Sequence, residues 1–118
     1  MSVLHLGPGL GNGIANLHNA RRAATPIINL VGNHATYHVP HDAPLTSDIE
    51  TLAKNVSTWI KSDSTAGSLA ADGMMALAKT QSPSHGSDGA TATLIIPAEA
   101  CWGEAPDIAT VVQPDLGW

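Results

Sequence analysis

Residues Val3 to Val31, VLHLGPGLGNGIANLHNARRAATPIINLV, carry the reading that decides the fold. Val3-Leu4-His5-Leu6 reads as the end of a short strand. Gly7-Pro8-Gly9 reads as a turn, because glycine supplies unusual backbone angles and proline fixes one. Asn12 is then expected to cap a helix that runs through Arg22, with Ile14 and Leu17 on its inner face. Arg21 and Arg22 suit the negative end of that helix, and Thr25-Pro26 stops it. Pro26 to Val31 (PIINLV) is almost continuously apolar, as expected of a strand buried on both faces of a parallel sheet.

Outward from this unit the pattern repeats. Gly32 to Leu45 is a loop rich in His and Pro. Ser47-Asp48-Ile49-Glu50 reads as a capping box, and Ile49, Leu52, Ala53 and Val56 follow as a helical stripe. Thr58-Trp59-Ile60 suggests a short edge strand. Thr65 to Lys79 is expected to be a third helix, with Ala66, Leu69, Ala70, Gly73 and Leu77 on one face. Ser82 to Gly89 is a turn, and Ala90 to Pro97 (ATATLIIP) a further strand. The alternation predicts an α/β fold, an open, mostly parallel sheet flanked by helices. Residues 1–103 form the domain in this reading, and residues 104–118 a C-terminal tail or linker. Ligands of such sheets sit at the carboxyl ends of the strands, where the Gly7–Asn12 turn and the Gly32–Asp42 loop both emerge.

Composition narrows the function. The chain has 118 residues, enough for one modest core. With three Trp, one Tyr and no Phe, that core relies on aliphatic residues and alanine, so oligomerisation is a fair expectation. The net charge of −5 and the absence of a basic cluster beyond Arg21-Arg22 argue against a nucleic-acid partner. No apolar run reaches membrane-spanning length. The single Cys101 cannot form an internal disulfide, which suits the cytoplasm, and its position near a strand end suggests an inert, buried thiol.

Three clusters could carry chemistry. The first is the glycine-rich turn, in which Gly7, Gly9, Gly11 and Gly13 recur at every second residue. That spacing satisfies neither the dinucleotide fingerprint nor the P-loop, and tight strand-to-helix packing explains it on physical grounds alone. The second is the loop bearing His34, His38 and His41 beside Asp42. On a helix these imidazoles would share one face, as a zinc or nickel site needs, but Pro40 interrupts such a helix. The third is Ser82, Ser84, His85, Ser87 and Asp88, the residue types of a hydrolytic triad, in a segment that lacks the Gly-x-Ser-x-Gly elbow.

The order of these segments resembles the pyrimidine-binding domain of thiamine diphosphate (ThDP) enzymes, the acetolactate synthase and benzoylformate decarboxylase group. His5 through Asn19 is similar to the family's GPG-x-x-N turn and helix. Pro26 through Asn33 is similar to its PIV-x-x-x-G strand, His41-Asp42-Ala43 to its Gln-Asp-Ala, and Leu94-Ile95-Ile96-Pro97 to its closing strand. Gly32 through His38 resembles acetolactate synthase large-subunit-like members, and Pro44-Leu45 stands where true acetolactate synthases carry Phe-Gln.

The resemblance implies a ThDP-binding (PYR-type) fold in truncated form, and the decarboxylation or ligation of 2-keto acids. It implies ThDP as cofactor and His5 as the catalytic proton relay. It places Gly7, Pro8, Gly9, Asn12, Asn33 and His34 against the cofactor, with no metal ligand among them. The family's glutamate, which sets the cofactor's tautomer, lies before the glycine-rich turn, in a segment outside these residues. The Mg²⁺ and diphosphate are held by a separate domain, whose Gly-Asp-Gly is not matched at Ala71-Asp72-Gly73. The expectation is therefore a minimal ThDP-enzyme-like domain that does not run the reaction alone. As a family member it is expected to form a homo-oligomer, a dimer or higher, or to pair with a complementing chain through the sheet edge left open. The rival expectations are a small ester or lactone hydrolase using His and Ser residues or a His-bound metal, and a non-catalytic oligomerisation module.

Overall fold

A computed structural model describes residues 1–81, 89–106 and 108–116. Its strands are β1 (Ser2–His5), β2 (Ile27–Asn33), β3 (Trp59–Lys61) and β4 (Thr91–Pro97), and its helices α1 (Leu6–Arg22), α2 (Ile49–Lys54), α3 (Leu69–Gln81) and α4 (Ala98–Trp102). The strands form one sheet in the order β1-β2-β4-β3, and every pairing is parallel. The two apolar runs PIINLV and ATATLIIP thus supply the inner strands. Among the described residues no helix is long and apolar enough to cross a membrane.

The register puts Leu4 beside Val31 and Val31 beside Ile95. That face is closed by α1 and α2 through Leu6, Leu10, Leu17, Ile49 and Ala53, and by Val56 just after α2. The opposite face carries Ile28, Leu30, Ala92, Leu94 and Ile96, packed with Ala76 of α3 and with Trp59. Helix α3 lies over β4, β2 and β3. Near β1 this second face is open, and Val3 is 72% exposed.

Polar side chains tie the strands where the sheet is otherwise apolar. Ser2 Oγ donates to Asn29 Oδ1 at 2.7 Å, and Asn29 Nδ2 donates to Thr93 Oγ1 at 3.3 Å. Ser57 Oγ lies 2.6 Å from the same Thr93 hydroxyl. Asn29 and Thr93 are fully buried, so a slipped register would strand their polar atoms without partners.

Several local expectations are corrected. Gly7-Pro8-Gly9 is not a turn but the first turn of α1, and Asn12 lies inside that helix, exposed, rather than capping it. The chain reverses at Leu6, which takes the left-handed conformation with φ of 56° while its side chain stays buried. Pro8 is tolerated there because first-turn N–H groups have no intrahelical acceptor. A Cβ on Gly7 would overlap the Ser47 side chain, so this glycine serves close packing of the following loop.

The cap of α2 is Asp48, not Ser47. Its carboxylate accepts from the Thr51 N–H at 3.1 Å and from Thr51 Oγ1 at 2.7 Å. Those bonds hold the Asp48 carboxyl below the usual carboxylate range. Glu50 accepts instead from Ser62 Oγ at 3.1 Å.

Helix α3 begins at Leu69, after a turn in which Thr65 and Ser68 exchange backbone-to-hydroxyl bonds. Ala70 is exposed and Ala76 is buried, so the packing face is rotated from the expected one. Asp72 accepts from the Ser64 and Ser68 hydroxyls at 2.7 and 3.0 Å, a structural role. Helix α4, which the sequence pattern did not announce, follows β4 directly. Cys101, expected to be buried, is exposed on it.

Candidate functional site

A cleft of about 730 Å³ opens on the uncovered face of the sheet, at the carboxyl ends of β1, β2 and β4. Parallel pairing creates it: His5, Gly32 and Ile96 are register partners, so three distant segments end side by side. Val3, Leu30 and Ile96 form its floor. Tyr37 and Leu45 from the loop after β2, and Cys101 and Trp102 from α4, form its walls. Its polar groups come from His5, Asn33, His34 and His38. A largely apolar cleft with a few converging polar groups is the ordinary form of a small-molecule site.

The structure brings together three of the seven residues expected in the site. His5 is exposed at the end of β1, on the cleft rim. Asn33 lines the cleft and accepts the His34 backbone N–H on its Oδ1 at 2.8 Å. His34 lines the cleft too, and its Nε2 is buried with no hydrogen-bond partner among the described residues. A buried imidazole nitrogen left unpaired costs free energy unless a ligand or water completes it.

Gly7, Pro8, Gly9 and Asn12 are not among the lining residues. Gly7 is buried against Ser47, and a Cβ on Gly9 would stand 3.4 Å from that of His5. Pro8 and Asn12 face outward on α1.

The three histidines of the loop stand in a row rather than around a point. Ring centroids are 5.3 Å apart for His34 and His38 and 5.7 Å for His38 and His41, with the planes tilted. Among the described residues no group of three or more His, Cys, Asp or Glu could hold a metal ion. The Ser82-to-Asp88 constellation lies outside the described residues.

Sequence reasoning missed the wall. Trp102 is 70% exposed and Tyr37 65%, in a chain nearly without aromatics, and that scarcity was the one available signal. It also missed Glu99. The Glu99 carboxylate accepts the Thr36 backbone N–H on both oxygens, at 3.0 and 3.1 Å, and the Thr36 hydroxyl as well. Hydrogen bonding from Thr36 holds the Glu99 carboxyl below its ordinary range.

No family model matches the sequence. A Mycobacterium tuberculosis protein named as a candidate acetolactate synthase large subunit, IlvX, is 50% identical over 110 residues, which cover 93% of this chain and 20% of that protein. Among solved structures, a candidate thiamin diphosphate-dependent enzyme from Mycobacterium smegmatis superposes with a TM-score of 0.83 at 28% identity, over 97% of this chain and 22% of its own. The thiamine diphosphate-dependent 4-hydroxybenzoylformate decarboxylase of Rhodococcus jostii RHA1 shares the fold, with a TM-score of 0.78 at 21% identity over 89% of this chain and 19% of its own. The chain spans about a fifth of the length of these relatives.

Proposed function

Because this chain is a relative of the thiamine diphosphate-dependent enzymes, alike to them over about a fifth of their length, we propose that it forms one wall of a ThDP site and does not turn over a 2-keto acid by itself. The observation that carries the reading is the unpartnered, buried His34 Nε2 in the wall of an apolar cleft at the strand ends. The heterocyclic end of the cofactor fits this chemistry: apolar walls take the ring, and a rotation of the half-buried His34 side chain would turn its unpaired Nε2 to it. Its diphosphate end does not fit. Among the described residues no carboxylate lines the cleft and no metal-holding group exists. When bound in a complete site, ThDP supplies the nucleophilic carbon and electron sink for 2-keto acid decarboxylation or ligation. On this side of such a site His34 would orient the ring. His5, at the rim, would exchange a proton with bound substrate, a task suited to imidazole.

Calorimetric titration of the folded chain with ThDP, with and without Mg²⁺, tests the reading. Saturable binding that is indifferent to Mg²⁺ is expected, weakened about tenfold by His34→Ala, the value of one buried hydrogen bond. Absence of any saturable heat would overturn the cofactor reading. Turnover of pyruvate or benzoylformate by the chain alone would overturn the other half.

The cofactor reading also bears on assembly. Strand β1 is an edge, and the apolar floor beside it is open to solvent at Val3. An open strand edge flanked by apolar surface favours association. The occupant that fits this reading is a second copy of the chain; a complementing chain that brings a carboxylate to the cleft is the alternative. Sedimentation across a dilution series is expected to show a dimer or higher species that dissociates on dilution. A monomer at every concentration would exclude self-association.

A further inference from the structure

We propose that residues 34–48 form a strap over the cleft, latched shut by the bond between Thr36 and the Glu99 carboxylate, so that releasing the latch lifts the loop wall away from α4. The latch joins the two segments that wall the cleft, although neither Thr36 nor Glu99 lines it. Thr36 belongs to the strap that carries Tyr37, His38 and Leu45, while Glu99 belongs to the helix that carries Cys101 and Trp102. The two residues are 63 positions apart in the chain, so the bond reports tertiary closure and not local folding.

The strap is built to move as a unit. His38 N–H donates to Ala35 C=O at 2.8 Å, His41 N–H to His38 C=O at 3.0 Å, and Thr46 N–H to Ala43 C=O at 2.8 Å. The neighbouring, mutually tilted rings of His34, His38 and His41 run along it. From Thr36 to Asp42 every residue is exposed, so little apolar burial holds this part down. Its ends are fixed, by the Asn33–His34 bond on one side and by Ser47 against Gly7 and the Asp48 cap on the other. A tethered segment with little buried surface and one strong cross-contact is drawn from the low-stability end of a fold.

Only the ionised carboxylate can accept from both the N–H and the hydroxyl of Thr36 with both oxygens. The titratable groups around the mouth are His34, Tyr37 and His38 on the strap, His5 on β1 and Cys101 on α4. No charged side chain contributes to the lowering of the Glu99 carboxyl, which comes first from the Thr36 side chain. A carboxyl lowered in the folded state stabilises closure fully above its ordinary value of 4.5, and that contribution is lost as pH falls through the lowered folded value.

Amide hydrogen exchange on the full chain tests this, with protection factors compared for wild type, Glu99→Ala and Thr36→Val. Both variants are expected to lose about tenfold protection at residues 35–41 at neutral pH, with the amides of β2 and β4 unchanged. In wild type the same loss is expected on acidification, while Glu99→Ala shows no further change. Unaltered strap protection in both variants would overturn the latch. Equal loss in strap and sheet would also overturn it, by showing Glu99 to be a general stabilising contact. The inference rests on the cleft's geometry and not on its occupant, so a failed ThDP titration leaves it standing.

Discussion

A Leu10→Ala variant is expected to lose about 3 kcal/mol of folding stability. Leu10 is wholly buried, on the α1 face that meets the sheet, in a cluster with Leu6, Leu17, Val31 and Ile95. Ile49 and Ala53 of α2, and Val56 just after it, close over the same cluster. Removing the isobutyl group loses its transfer free energy and leaves a cavity, because both the helix and the sheet beneath it are held by neighbours. The core has little reserve. It contains no Phe, and Trp59 is its partly buried aromatic. A small domain has roughly 5–15 kcal/mol in total, so this one change removes a large share. Urea unfolding should show a lower midpoint with an unchanged slope. Leu45→Ala is the control: Leu45 is 41% exposed, and its truncation is expected to cost about 0.5 kcal/mol or less. Equal effects at the two positions would mean that the α1–sheet interface is not the core described above.

Gly89→Ala is expected to destabilise by a similar amount, about 3 kcal/mol, for a different reason. Gly89 is buried where the chain enters β4, and a Cβ there would stand 2.7 Å from Pro26 Cδ and 2.9 Å from Pro26 N, and would overlap the Ala24 carbonyl oxygen. These are mostly backbone atoms, fixed by the start of β2, and they cannot swing aside. The Ile27 N–H bond to Ala90 C=O, at 3.0 Å, starts the central β2–β4 pairing beside this contact. Gly11→Ala is the opposite case. Gly11 sits in α1 with nothing within 4 Å of its would-be Cβ. Alanine there is expected to stabilise by about 0.5–1 kcal/mol, because it lowers the backbone entropy lost on helix formation. Thermal or urea unfolding of the two variants reads both signs. A neutral Gly89→Ala would show that the β2–β4 entry is looser than its geometry.

What could be read in the sequence was local. The runs PIINLV and ATATLIIP announced buried parallel strands because every residue of an inner strand meets apolar neighbours on one face or the other. The stripe Ile49, Leu52, Ala53 and Val56 announced the packing of α2 and the residue after it: Ile49, Ala53 and Val56 are buried and Leu52 is half-buried. Helix starts were misread where chemistry allowed two registers. Asp48 displaced Ser47 because Thr51 could serve its carboxylate twice, and α1 began at Leu6 because one left-handed residue can turn the chain without a glycine. The pattern located the strand ends at which His5, Asn33 and His34 lie, while the choice of those three residues came from the family resemblance.

The rest of the cleft had no local signature. Tyr37, Leu45, Cys101 and Trp102 meet there only because parallel pairing aligns His5, Gly32 and Ile96 and carries the following loop and helix to one side. Thr36 and Glu99 bond across 63 positions for the same reason. The sequence by itself determined the alternating strands and helices, since burial and periodicity act over a few residues. The tertiary structure alone decided which side chains share the cleft and which face of the sheet stays open, since those depend on strand order and on where α3 comes to lie.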